Sequence, residues 1–316
     1  MPVLCLLLWR NKRKDMENKK NVVAAWIEAA RPKTLSASIS PVLLGVSLAY
    51  YDGQFDIVPA FFCFLVALFA QIASNFANDY FDFKKGADRE DRLGPERAVA
   101  QGWISPKAML IGTFVALGLA CTFGLLLVCF ADWRLLGVGV AIAVCVLAYS
   151  AGPFPLAYNG LGDVCVLLFY GIIPVCFTYY IQTLQFSLLS LLLSIALGLL
   201  SVNILVVNNY RDYEQDKRAH KRTTIVWFGR RFGRFFYILN QVLAFLLVFP
   251  LLLDAPWWVL FLFAILFALC FYTTKELFVL DGKALNRTLG HTARNVFLFA
   301  LVLSLYFVYL GNQIGG

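Results

Sequence analysis

The chain has 316 residues, 60% hydrophobic and 15% charged, with a mean hydropathy of +0.73 and a formal net charge of +8. Soluble domains carry roughly 45–50% apolar residues, so water is not its main solvent. The positive charge does not indicate a nucleic-acid partner, because the 27 Lys and Arg follow membrane topology instead of forming a patch.

Met1 to Lys20 places its apolar part (Val3 to Trp9) before its basic part, the reverse of a secretory signal. Residues 1–30 read as a cytoplasmic N-terminal segment, with Met16 as an alternative start, and 31–316 as one membrane domain of two pseudo-repeated halves. Nine apolar runs follow, at 36–51, 57–77, 108–130, 134–150, 163–181, 187–208, 236–253, 256–274 and 293–311. They are set against a hydrocarbon core of about 30 Å, the first and fourth being short and containing or adjoining Pro or Gly. Unpaired backbone groups are costly in lipid, so all nine are predicted to be helices. The fold class expected is an all-α polytopic membrane protein of nine transmembrane helices.

With the N-terminus in the cytoplasm, eight Lys and Arg precede the first span. Six follow the second, eight the sixth and four the eighth, leaving only Arg134 outside. This is the positive-inside distribution. The opposite turns carry Asp52, Asp56, Asp132 and Asp254. The eight cysteines lie mostly within spans, without close CxxC pairing, and read as small core residues. His220 and His291 are too isolated for a histidine metal site and are placed in loops.

Charge at the mouth of a membrane helix is expensive and marks function. The second span runs into Asn75, Asn78, Asp79, Asp82 and Asp88, and the sixth into Asn208, Asn209, Arg211, Asp212, Glu214 and Asp216. Aligned on Asn78 and Asn208, both segments read Asn, Asp or Asn, Tyr, any residue, Asp, an internal repeat at an offset of 130. Such a repeat predicts two clusters facing each other across a cavity. Asn75, Asn78 and Asp82 fall at i, i+3 and i+7, and Asn208, Asp212 and Asp216 at i, i+4 and i+8, each set on one helix face. Oxygen ligands without Cys or His suit Mg²⁺ bridging carboxylates to a diphosphate. Candidate metal ligands are Asn78, Asp79, Asp82, Asp88, Asn208, Asp212 and Asp216. The bases Arg92, Arg97, Arg211, Lys221 and Arg222 are candidates to contact phosphate oxygens, with Arg97 and Lys221 placed nearest the chemistry. A run such as Lys84 to Arg92 also reads as a solvated loop.

Arg31 and Lys33 at the head of the first span are either interfacial anchors or basic groups closing over the diphosphate. Asp163, after the Gly- and Pro-rich stretch from Tyr149 to Gly162, is either an ordinary helix cap or an active-site acid. A transporter also shows repeats and intramembrane charge, but its charges belong near the midplane, whereas these lie at helix ends.

These motifs resemble the UbiA superfamily of membrane prenyltransferases. The elements are Arg31-Pro-Lys-Thr-Leu with Pro41 to Gly45, Asn78 to Asp88, Arg92 to Arg97, Gly160-Leu-Gly-Asp163, and Asn208 through Asp216 to Thr223. Five residues separate Asp82 from Asp88, where the superfamily commonly has three. With the Gly-Leu-Gly-Asp loop, this resembles the branch acting on 1,4-dihydroxy-2-naphthoate in menaquinone synthesis. The resemblance implies nine helices around a cavity capped at the cytoplasmic side and open laterally to lipid. It also implies transfer of a polyprenyl group from its diphosphate to the naphthoate, with loss of pyrophosphate and CO2. Mg²⁺ is the implied cofactor, the bacterial inner membrane the implied location, and Asp163 the residue that orients the acceptor or takes a proton.

Overall fold

The computed structural model describes residues 21–86 and 92–315, apart from the side chain of Lys33. The alternative start at Met16, the candidate ligand Asp88 and the Lys33 side chain lie outside the described residues.

All regular structure among the described residues is helical. The helices are α1 (Val22–Ala30), α2 (Pro32–Tyr51), α3 (Ile57–Lys84), α4 (Pro106–Leu127), α5 (Leu135–Ala148), α6 (Gly162–Thr183), α7 (Leu188–Arg211), α8 (Tyr213–Arg218), α9 (Thr224–Leu252), α10 (Trp257–Val279) and α11 (Leu285–Gly315). Eight are long and apolar enough to cross a membrane, which makes this a multi-pass membrane protein. The remaining expected span, α5, has 14 residues. At 1.5 Å per residue that is about 21 Å, short of the hydrocarbon thickness on its own.

Several helices exceed the apolar runs that announce them. α3 has 28 residues and is about 42 Å long, more than the hydrocarbon thickness of about 30 Å, and α9 has 29 residues. α9 begins twelve residues before the expected span at 236. It absorbs Arg230, Arg231 and Arg234, which hydropathy assigns to a loop, and bends at Gly229, whose φ of 83° leaves the helical region. His291 lies in α11, not a loop, with its ring nitrogen 2.8 Å from Glu276 of α10. Cys121 and Cys129 are on the outer surface rather than in the core.

Burial separates centre from rim. In the spanning window of α7, 67% of residues are buried, against 28% in α3, α4, α9 and α10, which turn one side to lipid. A core of Leu48, Leu197, Phe263 and Phe299 joins α2, α7, α10 and α11. α6 crosses α7 closely because both are glycine there: a Cβ on Gly171 would sit 2.5 Å from the Gly198 Cα, the small-residue contact favoured between membrane helices. Gly171 lies in a π-helical turn at Leu168–Ile172, which swings Tyr170 toward the cavity that α6 helps to wall.

Candidate active site

A cavity of about 590 Å³ runs between the helices. At one end it is lined by Asp82, Arg92, Arg97, Asp212, Asp216 and Lys221; further along, the walls include Val42, Cys63, Leu127, Leu135, Phe177 and Ile181. Cys63 and Asp82 share α3 and are 19 residues apart, so the cavity extends about 28 Å along that helix. One end is charged and the other apolar.

The last turns of α3 supply the first group of candidate ligands. Asn78 faces the cavity, and its Oδ1 accepts from the Ser150 hydroxyl. Asp82 Oδ1 accepts from the Tyr158 hydroxyl at 2.9 Å and Oδ2 from Arg97 Nη2 at 3.3 Å. Tyr158 is a site residue that the motifs did not single out. Its carbonyl accepts from the Arg222 backbone N–H at 2.9 Å, and Lys85 and Lys221 lie 4.3 and 5.7 Å from its ring centroid. It thus joins the two halves of the polar end.

The expected second helical face breaks at Asp212. α7 stops at Arg211, Asp212 has φ −90° and ψ 10°, and α8 carries Asp216. The Asp216 N–H still donates to the Asp212 carbonyl at 2.7 Å, so the turn keeps Asn208, Asp212 and Asp216 on the cavity wall. Asp216 is buried, with Oδ1 3.4 Å from Lys221 Nζ and Oδ2 without a hydrogen-bond partner among the described residues. Burial pushes its carboxyl up to about 6, against the pull of Lys221, with Asp212 and Asp82 adding to the rise. Burial works against the charge on Lys221, but Asp216, Asp82 and Asp212 outweigh it and raise its pKa.

Two expected site residues, Asp79 and Arg222, lie off the cavity wall, and a third, Arg211, is taken up by protein partners. Asp79 does not line the cavity: its oxygens accept from the backbone N–H groups of Ala98 and Val99 at 3.0 and 3.2 Å. It pins the segment that carries Arg97. Removing it would strand two buried N–H groups, so Asp79→Ala is expected to cost about 2–5 kcal/mol of stability, read as a lower thermal midpoint in detergent. Arg211, expected on the diphosphate, lines the cavity but is 1% exposed, with four N–H donors taken by protein partners. It holds Asp212 through two bonds of 2.7 and 2.6 Å, Asn208 at 2.8 Å and Asn286 at 2.6 Å. Arg222 is exposed, lies off the cavity wall and contributes its backbone N–H to Tyr158. Arg31, by contrast, lines the cavity from the junction of α1 and α2, where its φ of 54° turns the chain.

Asp163 lies in the first turn of α6 without acting as its side-chain cap. Its Oδ2 accepts from Thr224 Oγ1 at 2.6 Å, and its Oδ1 is buried without a partner among the described residues. It lines the same cavity, as do Tyr149 and Asn209.

The donor chemistry fits a hard divalent cation. Asp216 Oδ2 is a buried, unpartnered carboxylate oxygen, and the oxygens of Asp82 and Asp212 each keep a lone pair beyond the contacts named above. No three His, Cys, Asp or Glu side chains converge on one point among the described residues. A cation here would therefore take few carboxylates and complete its shell with amide oxygens, water and phosphate, as Mg²⁺ commonly does.

A helical membrane chain whose cavity is charged at one end and apolar beyond is shaped for an amphiphile with an anionic head. Residues 38–301 match the UbiA prenyltransferase family, and the chain belongs to that family: it is a polytopic membrane prenyltransferase. It is similar to the 1,4-dihydroxy-2-naphthoate octaprenyltransferase of Escherichia coli, at 34% identity over 297 residues covering 90% of this chain and 94% of that one. The enzyme of the same name from Haemophilus influenzae is 36% identical over 234 residues, covering 72% and 75%. The fold is shared with a UbiA homologue from Archaeoglobus fulgidus bound to GPP and Mg²⁺, with a TM-score of 0.62 and 18% identity, covering 92% of this chain and 99% of that one.

Proposed function

We propose that this enzyme moves a polyprenyl group from polyprenyl diphosphate to 1,4-dihydroxy-2-naphthoate, releasing pyrophosphate and CO2 and forming the demethylmenaquinone skeleton. The observation that carries this reading is the polarity of the cavity, with carboxylates and bases gathered at the end opposite its apolar walls. The names of the similar bacterial proteins support the naphthoate as acceptor. The acceptor 4-hydroxybenzoate is not favoured by those relatives. A transporter is not favoured by charges that sit at helix ends.

Asn78, Asp82 and Asp88, with Asn208, Asp212 and Asp216, are the residues proposed to hold Mg²⁺ against the diphosphate. When bound, Mg²⁺ supplies charge neutralisation on the leaving pyrophosphate. Arg92, Arg97 and Lys221 line the same end and add fixed positive charge where negative charge develops; Arg31 and Lys33 are proposed to close over it. The allylic C–O bond breaks with its electron pair going to pyrophosphate, and the electron-rich ring forms the new C–C bond. The ring carboxylate leaves as CO2, its bonding pair returning to the ring. Asp163 Oδ1 is proposed to accept a hydrogen bond from an acceptor hydroxyl and hold the ring at the cation. We place the chain in the bacterial inner membrane with nine passes, α5 included, and with the charged end of the cavity at the cytoplasm, a reading that the distribution of Lys and Arg supports.

Wild-type membranes supplied with polyprenyl diphosphate should release pyrophosphate only when Mg²⁺ and the naphthoate are also present; release without acceptor would contradict the reading. A protonated carboxyl cannot ligate, so the Mg²⁺ concentration for half-maximal rate should rise as pH falls through about 6, the value for Asp216. Mg²⁺ titrations about one unit above and below that pH test this.

A further inference from the structure

Between Lys85 and Pro106 the chain has no regular helix among the described residues, yet it carries Arg92 and Arg97 over the charged end of the cavity. Its own hydrogen bonds, such as Arg92 Nε to the Pro95 carbonyl at 3.0 Å and Trp103 N–H to the Ala98 carbonyl at 2.9 Å, stay within the segment, and the bonds that tie it to the helices come from elsewhere. On one side Asp79 grips Ala98 and Val99. On the other, the anchor comes from the last helix: Asn286 Nδ2 donates to the Leu93 carbonyl at 2.8 Å, across 193 residues of sequence.

The same Asn286 side chain accepts from Arg211 Nη1 at 2.6 Å. Arg211 in turn grips Asp212 and Asn208. The neighbouring residue completes the contact: a Cβ added to Gly94 would lie 2.7 Å from Arg211 Nη2 and 3.2 Å from its Cζ, so the backbone at 94 rests against the guanidinium. Leu285 is fully buried in a cluster with Val206, Val207 and Tyr210 of α7, which seats the start of α11 and fixes where Asn286 points. Asn286 also lines the cavity.

Each partner holds the other in place. A guanidinium with only Asp212 beside it could swing toward an incoming phosphate and take the carboxylate with it. Bonds to Asn208 and Asn286 from two further directions add to the two on Asp212, so that four of its five N–H donors are used and Asp212 is held on the cavity wall. We propose that Asn286 is a positioning residue for this site. It ties the 92–97 segment to the Arg211–Asp212 pair, so that the bases of the first half and the carboxylates of the second keep one register. The proposal rests on reading this end of the cavity as the diphosphate site.

The test uses the full-length protein in detergent as wild type, Asn286→Ala, Gly94→Ala and the double variant. Hydrogen exchange is measured without metal or substrate on a peptide covering 92–97, with a peptide from α2 as reference. Asn286→Ala should raise exchange in 92–97 by about tenfold or more, the loss expected of one hydrogen bond in a charge-assisted network, and leave α2 unchanged. In the transfer assay the KM for prenyl diphosphate should rise about tenfold with kcat changed by less than about threefold. Gly94→Ala disturbs the same guanidinium from the other side and should give the same signature, with the double variant no worse than the more damaged single one.

Wild-type exchange and wild-type KM in both single variants would overturn the proposal. So would a rise in exchange spread equally over 92–97 and α2, which would mark Asn286 as a general packing residue. If the wild type itself failed to transfer a prenyl group while the exchange result held, the functional reading would fall and the positioning contact would stand.

Discussion

Asp82→Ala and Asp212→Ala are each expected to lower kcat for prenyl transfer by roughly 100- to 1,000-fold, or about 2.7–4 kcal/mol, the scale for losing one preorganised charge-stabilising group. Both carboxylates line the charged end of the cavity, and each is fixed by two donors. The alanine variants remove a proposed metal ligand and leave opposing bases uncompensated, Arg97 in one case and Arg211 in the other. Asp82→Asn and Asp212→Asn separate these effects. An amide keeps one oxygen for the Tyr158 or Arg211 donor but lacks the charge and turns its NH2 to the second donor, so the asparagine variants should lose less of the thermal midpoint than the alanine ones and still lose most activity. Either variant turning over at the wild-type rate would remove that residue from the metal set.

The second large effect is expected at Asp163. Asp163→Asn should reduce kcat by about 100-fold, the lower range for loss of a positioned proton-transfer or hydrogen-bonding group, and leave the KM for the prenyl diphosphate close to wild type. The reason is geometric. Thr224 satisfies Oδ2, and Oδ1 is buried without a partner on the cavity wall, so the oxygen facing the acceptor is the one altered. Thr224→Val should give a smaller loss of the same type, about tenfold. A rise in prenyl diphosphate KM with kcat intact would instead place Asp163 on the diphosphate.

How much of this was legible in the sequence varies from residue to residue for physical reasons. The spans stood out because lipid demands long apolar runs, but a hydropathy run ends where lipid ends, not where the helix does. The turns of α3 beyond 77 and of α9 before 236 were therefore cut off, and Arg230, Arg231 and Arg234 were assigned to a loop. Asn78 and Asp82 were readable from their spacing, and both line the cavity. Asp79 was misassigned to the metal although its neighbour Asn78 faces the cavity: adjacent residues are turned about 100° apart on a helix, which points Asp79 toward Ala98 and Val99. Arg211 was assigned to phosphate by its charge, whereas its position beside Asp212 makes it that carboxylate's partner. Tyr158 and Asn286 carried no local signal. Tyr158 meets Asp82 across 76 residues and Asn286 meets Arg211 across 75, contacts that only the packed helices bring together.

The most direct test of the whole account is the mass of the product formed when membranes containing the wild-type chain receive Mg²⁺, one polyprenyl diphosphate and an equimolar mixture of 1,4-dihydroxy-2-naphthoate and 4-hydroxybenzoate. The account predicts a single prenylated naphthalenediol, or its quinone, lighter by CO2 than the simple adduct and absent when Mg²⁺ is chelated. Prenylated hydroxybenzoate as the main product, or a naphthoate adduct that keeps its carboxylate, would contradict it.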